Sequence, residues 1–506
     1  MYSKTSLLVL LLWVSMTLLV AQNNCFLTTF SSEDKSWLVT DAVETSMGDY
    51  LLCAYDDWGG ESLILKLSSE GEIVGQVIVA ATDTALYAYK LLTVPENHDG
   101  LIILCLCHPD DGSKAALLLV RVDEDLNITL RRTIPCPFLD EGDRFFSAKF
   151  LLLDSSIIGA LSSRPLTSPI SNAKFLAKFD LNGNLIDCKR LESMGPACSL
   201  FCACEESNQI GWFGQLSGGM GIQVFDASLS LAQSDTLYQW SAPEGGNGDF
   251  CHYHINDVVN SQATMLPDGS YMVSARLLET LCHANGSSFK SDRSVILAKY
   301  ENDFHQPKDM IVIEHMNDSV EYPAFFRSMD LRETDEKGCM AFQCSILNEF
   351  PQFGLLQPYS TGIVVTKVDQ DLTVEWKRRF LRDGNYQATA IHATTDGGCL
   401  VVGSIGNYQA QRLDVFALKI NAEGTVGINE IQKESKAFVY PNPVKETLKI
   451  DGVEAKETLV YSILGQRVMA FAGNEADVKA LAAGFYLLKM TDKNGELHMM
   501  RIVIGK

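Results

Sequence analysis

Three stretches of the chain gather side chains that could do chemistry. The first, 238–256, carries Trp240 and the run Cys251-His252-Tyr253-His254 behind Gly245-Gly246-Asn247-Gly248. The second, 277–292, carries Cys282-His283-Ala284-Asn285, and the third, 346–360, carries Phe353 and Tyr359. On an extended segment His-x-His puts both rings on one side. His252 and His254 could therefore ligate zinc with Cys282 or His283, because imidazole and thiolate suit that ion. A Cys251–Cys282 disulfide, or histidines packed on one another, would use the same residues. No metal and no cofactor is therefore assigned. Aromatic rings supply apolar area and polar tips fix orientation, which suits sugar or peptide recognition. Trp240, His252, His254, His283, Asn285, Phe353 and Tyr359 are the candidate ligand-binding residues.

Signatures of enzymes do not occur in the sequence. There is no HExxH, no GxSxG elbow, no phosphate-binding P-loop and no GxGxxG. No catalytic residue is assigned, and binding is favoured over catalysis. The pairs Cys105/Cys107 and Cys202/Cys204 could chelate a metal, but core packing explains them better. The formal net charge of −22 argues against nucleic acid or an anionic membrane surface as the main partner.

Residues 1–21 read as a signal peptide: Lys4, the apolar run from Leu7 to Val20, and Ala21 before Gln22. The run is short for a bilayer core of about 30 Å, and no later stretch offers a transmembrane segment. Passage through the periplasm follows, which permits disulfides among the 14 cysteines, although their spacing gives no compact framework.

The elements that would position these residues form a repeat. An apolar strand recurs seven times, with one basic residue in six copies, as in Leu63-Ile64-Leu65-Lys66-Leu67, Leu118-Leu119-Val120-Arg121-Val122 and Phe416-Ala417-Leu418-Lys419-Ile420, and with Gln223 in the weaker fourth copy. A Gly- or Asp-containing turn followed by a strand precedes each copy, as in Asp268-Gly269-Ser270-Tyr271 and Asp396-Gly397-Gly398-Cys399-Leu400. Such turns join antiparallel neighbours because glycine tolerates positive φ. Units of about four short strands suit an all-β, β-propeller fold over 22–431, with seven blades favoured. Six or eight also fit, because the fourth unit is degenerate. The three stretches above then read as long loops on one face, carried by neighbouring blades 4 to 6.

After a linker at 432–436, residues 437–506 differ in kind. They hold nine Lys or Arg, eight Asp or Glu and no cysteine. Short alternating runs at Thr447 to Ile450, Thr458 to Ile463, Phe485 to Thr491 and Met499 to Ile504 suggest a small β-sandwich. Tyr440-Pro441-Asn442-Pro443-Val444, Tyr461-Ser462-Ile463-Leu464-Gly465-Gln466-Arg467, Ala483-Gly484-Phe485-Tyr486-Leu487 and the closing Arg501-Ile502-Val503-Ile504-Gly505-Lys506 stand in order. Together they resemble the C-terminal sorting domain of the Bacteroidetes type IX secretion system. Pro441, Asn442, Pro443, Gly465, Gly484 and Tyr486 mark its motifs. The body is similar, more loosely, to secreted propeller-like repeat proteins of the same bacteria.

The resemblance implies that residues 437–506 engage the secretion machinery, and that the body is released or attached to the outer cell surface. The reading is an exported binding protein for a glycan or a host or surface protein. A secreted glycan- or peptide-processing enzyme and a structural surface-layer component are the alternatives.

Overall fold

The computed structural model describes residues 25–505 apart from 33, 57–59, 95–99, 166–172, 192–196, 205–207, 217–218, 238–239, 244–249, 256–261, 283–287, 302–306, 316–321, 334–338, 349–360, 381–384, 408, 427–437, 441–443, 452, 463–466 and 494–496. The chain divides at 427/428 into two compact units. Every regular element among the described residues is a strand.

Among its described residues, the first unit holds seven antiparallel sheets in chain order. The first sheet comprises Trp37–Glu44, Tyr50–Asp56, Ser62–Leu67 and Ile73–Val79. The second comprises Thr84–Thr93, Leu101–Pro109, Ala116–Val122 and Ile128–Pro135. The third is Asp143–Leu153, Ser156–Pro165, Ala173–Asp180 and Leu185–Leu191. The fourth is Ala197–Cys204, Gln209–Leu216, Gly219–Phe225 and Leu231–Thr236. The fifth has Gln262–Met265, Tyr271–Cys282, Ser288–Tyr300 and Asp309–His315, with an added hairpin, Trp240–Pro243 and Phe250–Ile255. The sixth is Tyr322–Glu333, Cys339–Asn348, Thr361–Asp369 and Val374–Phe380. The seventh is Asn385–Ala393, Cys399–Asn407 and Arg412–Ile420, and its fourth strand is Phe26–Phe30 from the other end of the unit.

The innermost strand of each sheet packs against that of the next. Asn385–Ala393 of the seventh packs on Trp37–Glu44 of the first, so the ring closes as a β-propeller. Seven separate apolar clusters fill the seven gaps between sheets. Along Tyr50–Asp56, Leu51 and Cys53 face the second sheet, while Tyr50, Leu52 and Ala54 face the seventh. Burial on both faces is why these strands read as continuous apolar runs.

The repeated basic residue has a structural use. Lys66 donates to the Glu124 carbonyl at 2.8 Å, Arg121 to Leu181 at 2.8 Å, Lys299 to Gln370 at 2.9 Å and Lys367 to Ala422 at 3.3 Å. Each acceptor lies in the turn after the third strand of the following sheet. The aspartate of the Gly-turn holds the same cation from within its own sheet: Asp49–Lys66 at 3.0 Å, Asp268–Lys299 at 2.8 Å and Asp396–Lys419 at 2.7 Å. Burial opposes the charge of Asp268, but Lys299 outweighs it and holds the carboxyl down at about 2.

Those outer turns share one geometry. The carboxylate of Asp123 accepts from the Asn127 backbone N–H at 2.8 Å, and Asp180, Asp226 and Asp369 repeat the bond. Three residues on, the backbone enters the left-handed region, at Gly71, Gly183 and Gly424 but also at Leu126, Leu229 and Leu372. At Gly71, Gly424 and Leu126 the size of this residue is matched across the gap. A methyl on Gly71 would collide with Phe26, and one on Gly424 with Trp376. Where leucine fills the position, Leu126 instead meets Gly75. Phe26, Gly75 and Trp376 hold equivalent places, opposite Lys419, Lys66 and Lys367.

In the second unit, Phe438–Tyr440, Thr447–Asp451 and Glu475–Asp477 form one sheet, and Arg467–Phe471, Ala455–Ser462, Gly484–Asp492 and Leu497–Ile504 another. Val444, Leu448, Ile450, Val460, Val478, Leu488, Met490 and Ile502 form their shared core.

Two expectations follow. Leu126→Gly relieves a left-handed leucine, worth about 1 kcal/mol, but removes a buried side chain worth about 2–4 kcal/mol. The full chain should lose about 1–3 kcal/mol in denaturant unfolding. Adding Gly75→Phe, which copies the Phe26–Gly71 contact, should recover part of that loss; no recovery would refute the size-matching argument.

His108 lies between the rings of Tyr87 and Phe145, at 5.2 and 6.3 Å, and its Nε2 has no hydrogen-bond partner among the described residues. Burial first, then Arg144, pushes its pKa from 6.5 to about 4. The folded state binds this proton more weakly than the unfolded one. Its contribution is therefore present above 6.5 and is lost as pH falls toward 4, by at most roughly 3 kcal/mol. His108→Phe should flatten the fall in melting temperature between these pH values.

Candidate functional site

The ring encloses a cavity of about 730 Å³ lined by residues of all seven sheets. Asp41 comes from the first, Lys90 from the second, Lys149 and Phe150 from the third, Ser199 from the fourth, Gln262 from the fifth, Asp330 from the sixth and His392 from the seventh. All lie on innermost strands. Bulges in those strands, between Val39 and Asp41, Ala88 and Lys90, and Ala388 and Ala390, re-aim the side chains beside them.

Two side-chain pairs repeat one motif. Asp41 Oδ2 is 2.8 Å from Lys90 Nζ and accepts the Leu91 N–H at 2.9 Å. Asp330 Oδ2 is 3.3 Å from His392 Nδ1 and accepts the Ala393 N–H at 2.7 Å. In both, a carboxylate on one inner strand binds a cationic or basic side chain of the next, and also the backbone N–H of the residue after it. Uncharged groups continue the pattern. Gln262 Oε1 accepts from the Met329 N–H at 2.5 Å, and Ser199 Oγ from the Ala263 N–H at 2.9 Å. Burial works against the charge of Lys90, but Asp41 outweighs it and holds the pKa above 10.5.

The arrangement can hold a small polar molecule. Asp330 orients the His392 imidazole through Nδ1, the geometry that readies a ring for proton transfer. Among the described residues, no three His, Cys, Asp or Glu side chains gather as a metal site.

The residues singled out in the sequence lie elsewhere. Trp240, His252 and His254 fall on the added hairpin of the fifth sheet, where Trp240 pairs with Tyr253 and His252 with Ser241 and Thr280. His283, Asn285, Phe353 and Tyr359 lie outside the described residues, as do Pro441, Asn442, Pro443 and Gly465. The stretch 277–292 is not a loop. It is mostly the prolonged second and third strands of the fifth sheet, paired from Leu277↔Ser294 to Cys282↔Ser288. Leu277 is wholly buried there, because the added hairpin extends the sheet and its core. Cys251 pairs with Leu281 and Cys282 with Phe250, so the two cysteines do not form a facing pair. Cys105 and Cys107 are buried in the gap between the first and second sheets, which pushes both thiols up to about 12. In the tail, Gly484 opens a strand and the Tyr486 hydroxyl donates to the Ala482 carbonyl at 2.8 Å.

Reasoning from the sequence missed the cavity. The signal available was a charged or polar residue amid each inner strand, as in Val39-Thr40-Asp41-Ala42 and Tyr89-Lys90-Leu91. Asp330→Ala should leave the buried Ala393 N–H without its acceptor and cost about 1–3 kcal/mol in unfolding free energy. Asp330→Asn keeps an acceptor oxygen and should cost less than half of that. Equal losses would show that the backbone bond is not what Asp330 supplies.

Residues 438–505 match the family described as secretion system C-terminal sorting domain. No curated protein matches the chain. Among solved structures, the β-propeller domain of the Trilobed protease from Pyrococcus furiosus is 9% identical, with 79% of this chain and 99% of that one covered at a TM-score of 0.38. Virginiamycin B lyase from Staphylococcus aureus is 7% identical, covering 78% and 99% at 0.39. The alpha-L-arabinanase of Penicillium chrysogenum is 9% identical, covering 80% and 99% at 0.37. Likenesses at these scores carry no argument about ligand or activity. Residues 438–505 are a secretion system C-terminal sorting domain, and the chain is cargo of the type IX system, bound for secretion or surface attachment.

Proposed function

We propose that the chain is an exported, surface-attached or released binding protein. Its body is a seven-bladed propeller spanning about 22–431. Its tail, 437–506, is a small β-sandwich that engages the secretion machinery after a signal peptide, residues 1–21, has taken the chain into the periplasm. The ligand is a glycan or a host or surface protein, recognised where the fifth blade is built out beside the mouth of the ring.

The observation that carries this reading is the added hairpin. Phe250–Ile255 pairs with the same edge of Tyr271–Cys282 as the innermost strand Gln262–Met265 does. It therefore continues the innermost layer beyond the ring, and Trp240–Pro243 lies one strand further toward the axis. A scaffold needs no such extension to close. Trp240, His252 and His254 are the described candidates on it, and His283, Asn285, Phe353 and Tyr359 are the remaining candidates from the sequence. A second reading, a glycan- or peptide-processing enzyme, is favoured by the Asp330–His392 pair alone.

The test is binding of the full exported chain to an array of glycans and host-matrix proteins, beside a variant carrying Trp240→Ala, His252→Ala and His254→Ala. Loss of about tenfold or more in affinity in the variant, about 1.4 kcal/mol, is expected. A signal that the variant keeps would move recognition off the hairpin. Silence from both proteins would favour a structural surface role, and turnover of a bound glycan the enzyme.

A further inference from the structure

Inside the ring, the carboxylates are already spoken for. Asp41 holds Lys90 and the Leu91 N–H, and Asp330 holds His392 and the Ala393 N–H. Lys149 is different. It lies on the innermost strand of the third sheet, half-buried on the cavity wall, and makes no hydrogen bond or ion pair among the described residues. In a chain of net charge −22, an uncompensated ammonium on the wall of a cavity is conspicuous. A partly desolvated cation is costly unless an anion or several hydrogen-bond acceptors meet it.

Two further polar groups join it on the wall. The Tyr89 hydroxyl from the second sheet and the Gln387 amide from the seventh are likewise without a partner among the described residues. The Phe150 and Tyr89 rings add apolar area beside them. A hydroxyl-bearing molecule would satisfy Tyr89 and Gln387 and lie against the rings, as sugars do. An anionic group would also meet Lys149 with a charge opposite to its own. A volume of about 730 Å³ falls in the range of small-molecule sites.

We propose that the central cavity is a binding site for a small carboxylate-bearing sugar, of the uronic-acid class, with Lys149 meeting the carboxylate and Tyr89 and Gln387 the hydroxyls. This site is distinct from the hairpin beside the mouth and does not depend on it.

Calorimetric titration of the full exported chain with D-glucuronate and D-galacturonate, beside D-glucose and inorganic sulfate, tests it. At least one uronate should bind saturably, and glucose about tenfold more weakly or not at all. Lys149→Met should weaken uronate binding about tenfold or more, while Lys149→Arg keeps it within about threefold. Asp41→Asn preserves an acceptor for the Leu91 N–H but releases Lys90 from its carboxylate, and should tighten uronate binding severalfold. The melting temperatures of the two Lys149 variants, unchanged within a few degrees, separate lost binding from lost folding. No saturable uronate binding, an unaffected Lys149→Met variant, or sulfate binding as tightly as either uronate would overturn the proposal. The last would leave a plain anion site.

Discussion

In every sheet of the first unit the two middle strands are buried on both faces. Leu51 and Cys53 serve one gap between sheets and Leu52 and Ala54 the next. Such a sheet has no solvent face, so it cannot be an end. Each gap has its own apolar cluster, and no cluster is shared by more than two sheets. The chain can satisfy this constraint only by returning on itself. The return is made by Phe26–Phe30, which pairs with Arg412–Ile420 and completes the seventh sheet with a strand from the other end of the unit. Phe26 also meets Gly71 in the outer turn of the first sheet, so one short strand closes a sheet and fills the next gap.

Once burial fixes the ring, small residues set its spacing. The outer turns enter the left-handed region with either glycine or leucine, and at three of them the facing position compensates: Phe26 faces Gly71, Trp376 faces Gly424, and Gly75 faces Leu126. Leucine in that conformation is strained. The strain persists because the buried side chain returns more than it costs. Lys66 and Lys299 work in the same place by another means, each binding its own Gly-turn aspartate and the neighbouring turn's carbonyl together.

This explains what the sequence made legible. The repeat was visible because the second and third strands must be apolar on both faces, which leaves an unbroken run marked by one lysine or arginine. The Asp-Gly turns were visible because positive φ favours few residues. That the turn aspartate and the strand lysine are partners, as in Asp396 and Lys419, was not visible, since 23 positions separate them. The closing strand Phe26–Phe30 was hidden for the same reason over a far longer span. The inner strands were obscured because bulges break their alternation and polar residues interrupt their apolar positions. The stretch 277–292 looked like an insertion and is one, but its Leu277-Leu278 and Leu281 continue a sheet instead of leaving it.

The cavity follows from the same geometry. Inner strands converge on the axis with their backbone N–H groups facing a neighbouring strand, and those groups must be paired. Side-chain oxygens of Asp41, Ser199, Gln262 and Asp330 pair them. Much of the polarity around the axis is thus part of what holds the ring. Carboxylates used this way draw Lys90 and His392 into fixed places, and what remains for a ligand is the polarity left over after the ring is satisfied. Lys149, Tyr89 and Gln387 are that remainder. A site built from the surplus of a structural network cannot be found by looking for reactive residues in the sequence, because its most conspicuous charges are the ones already committed.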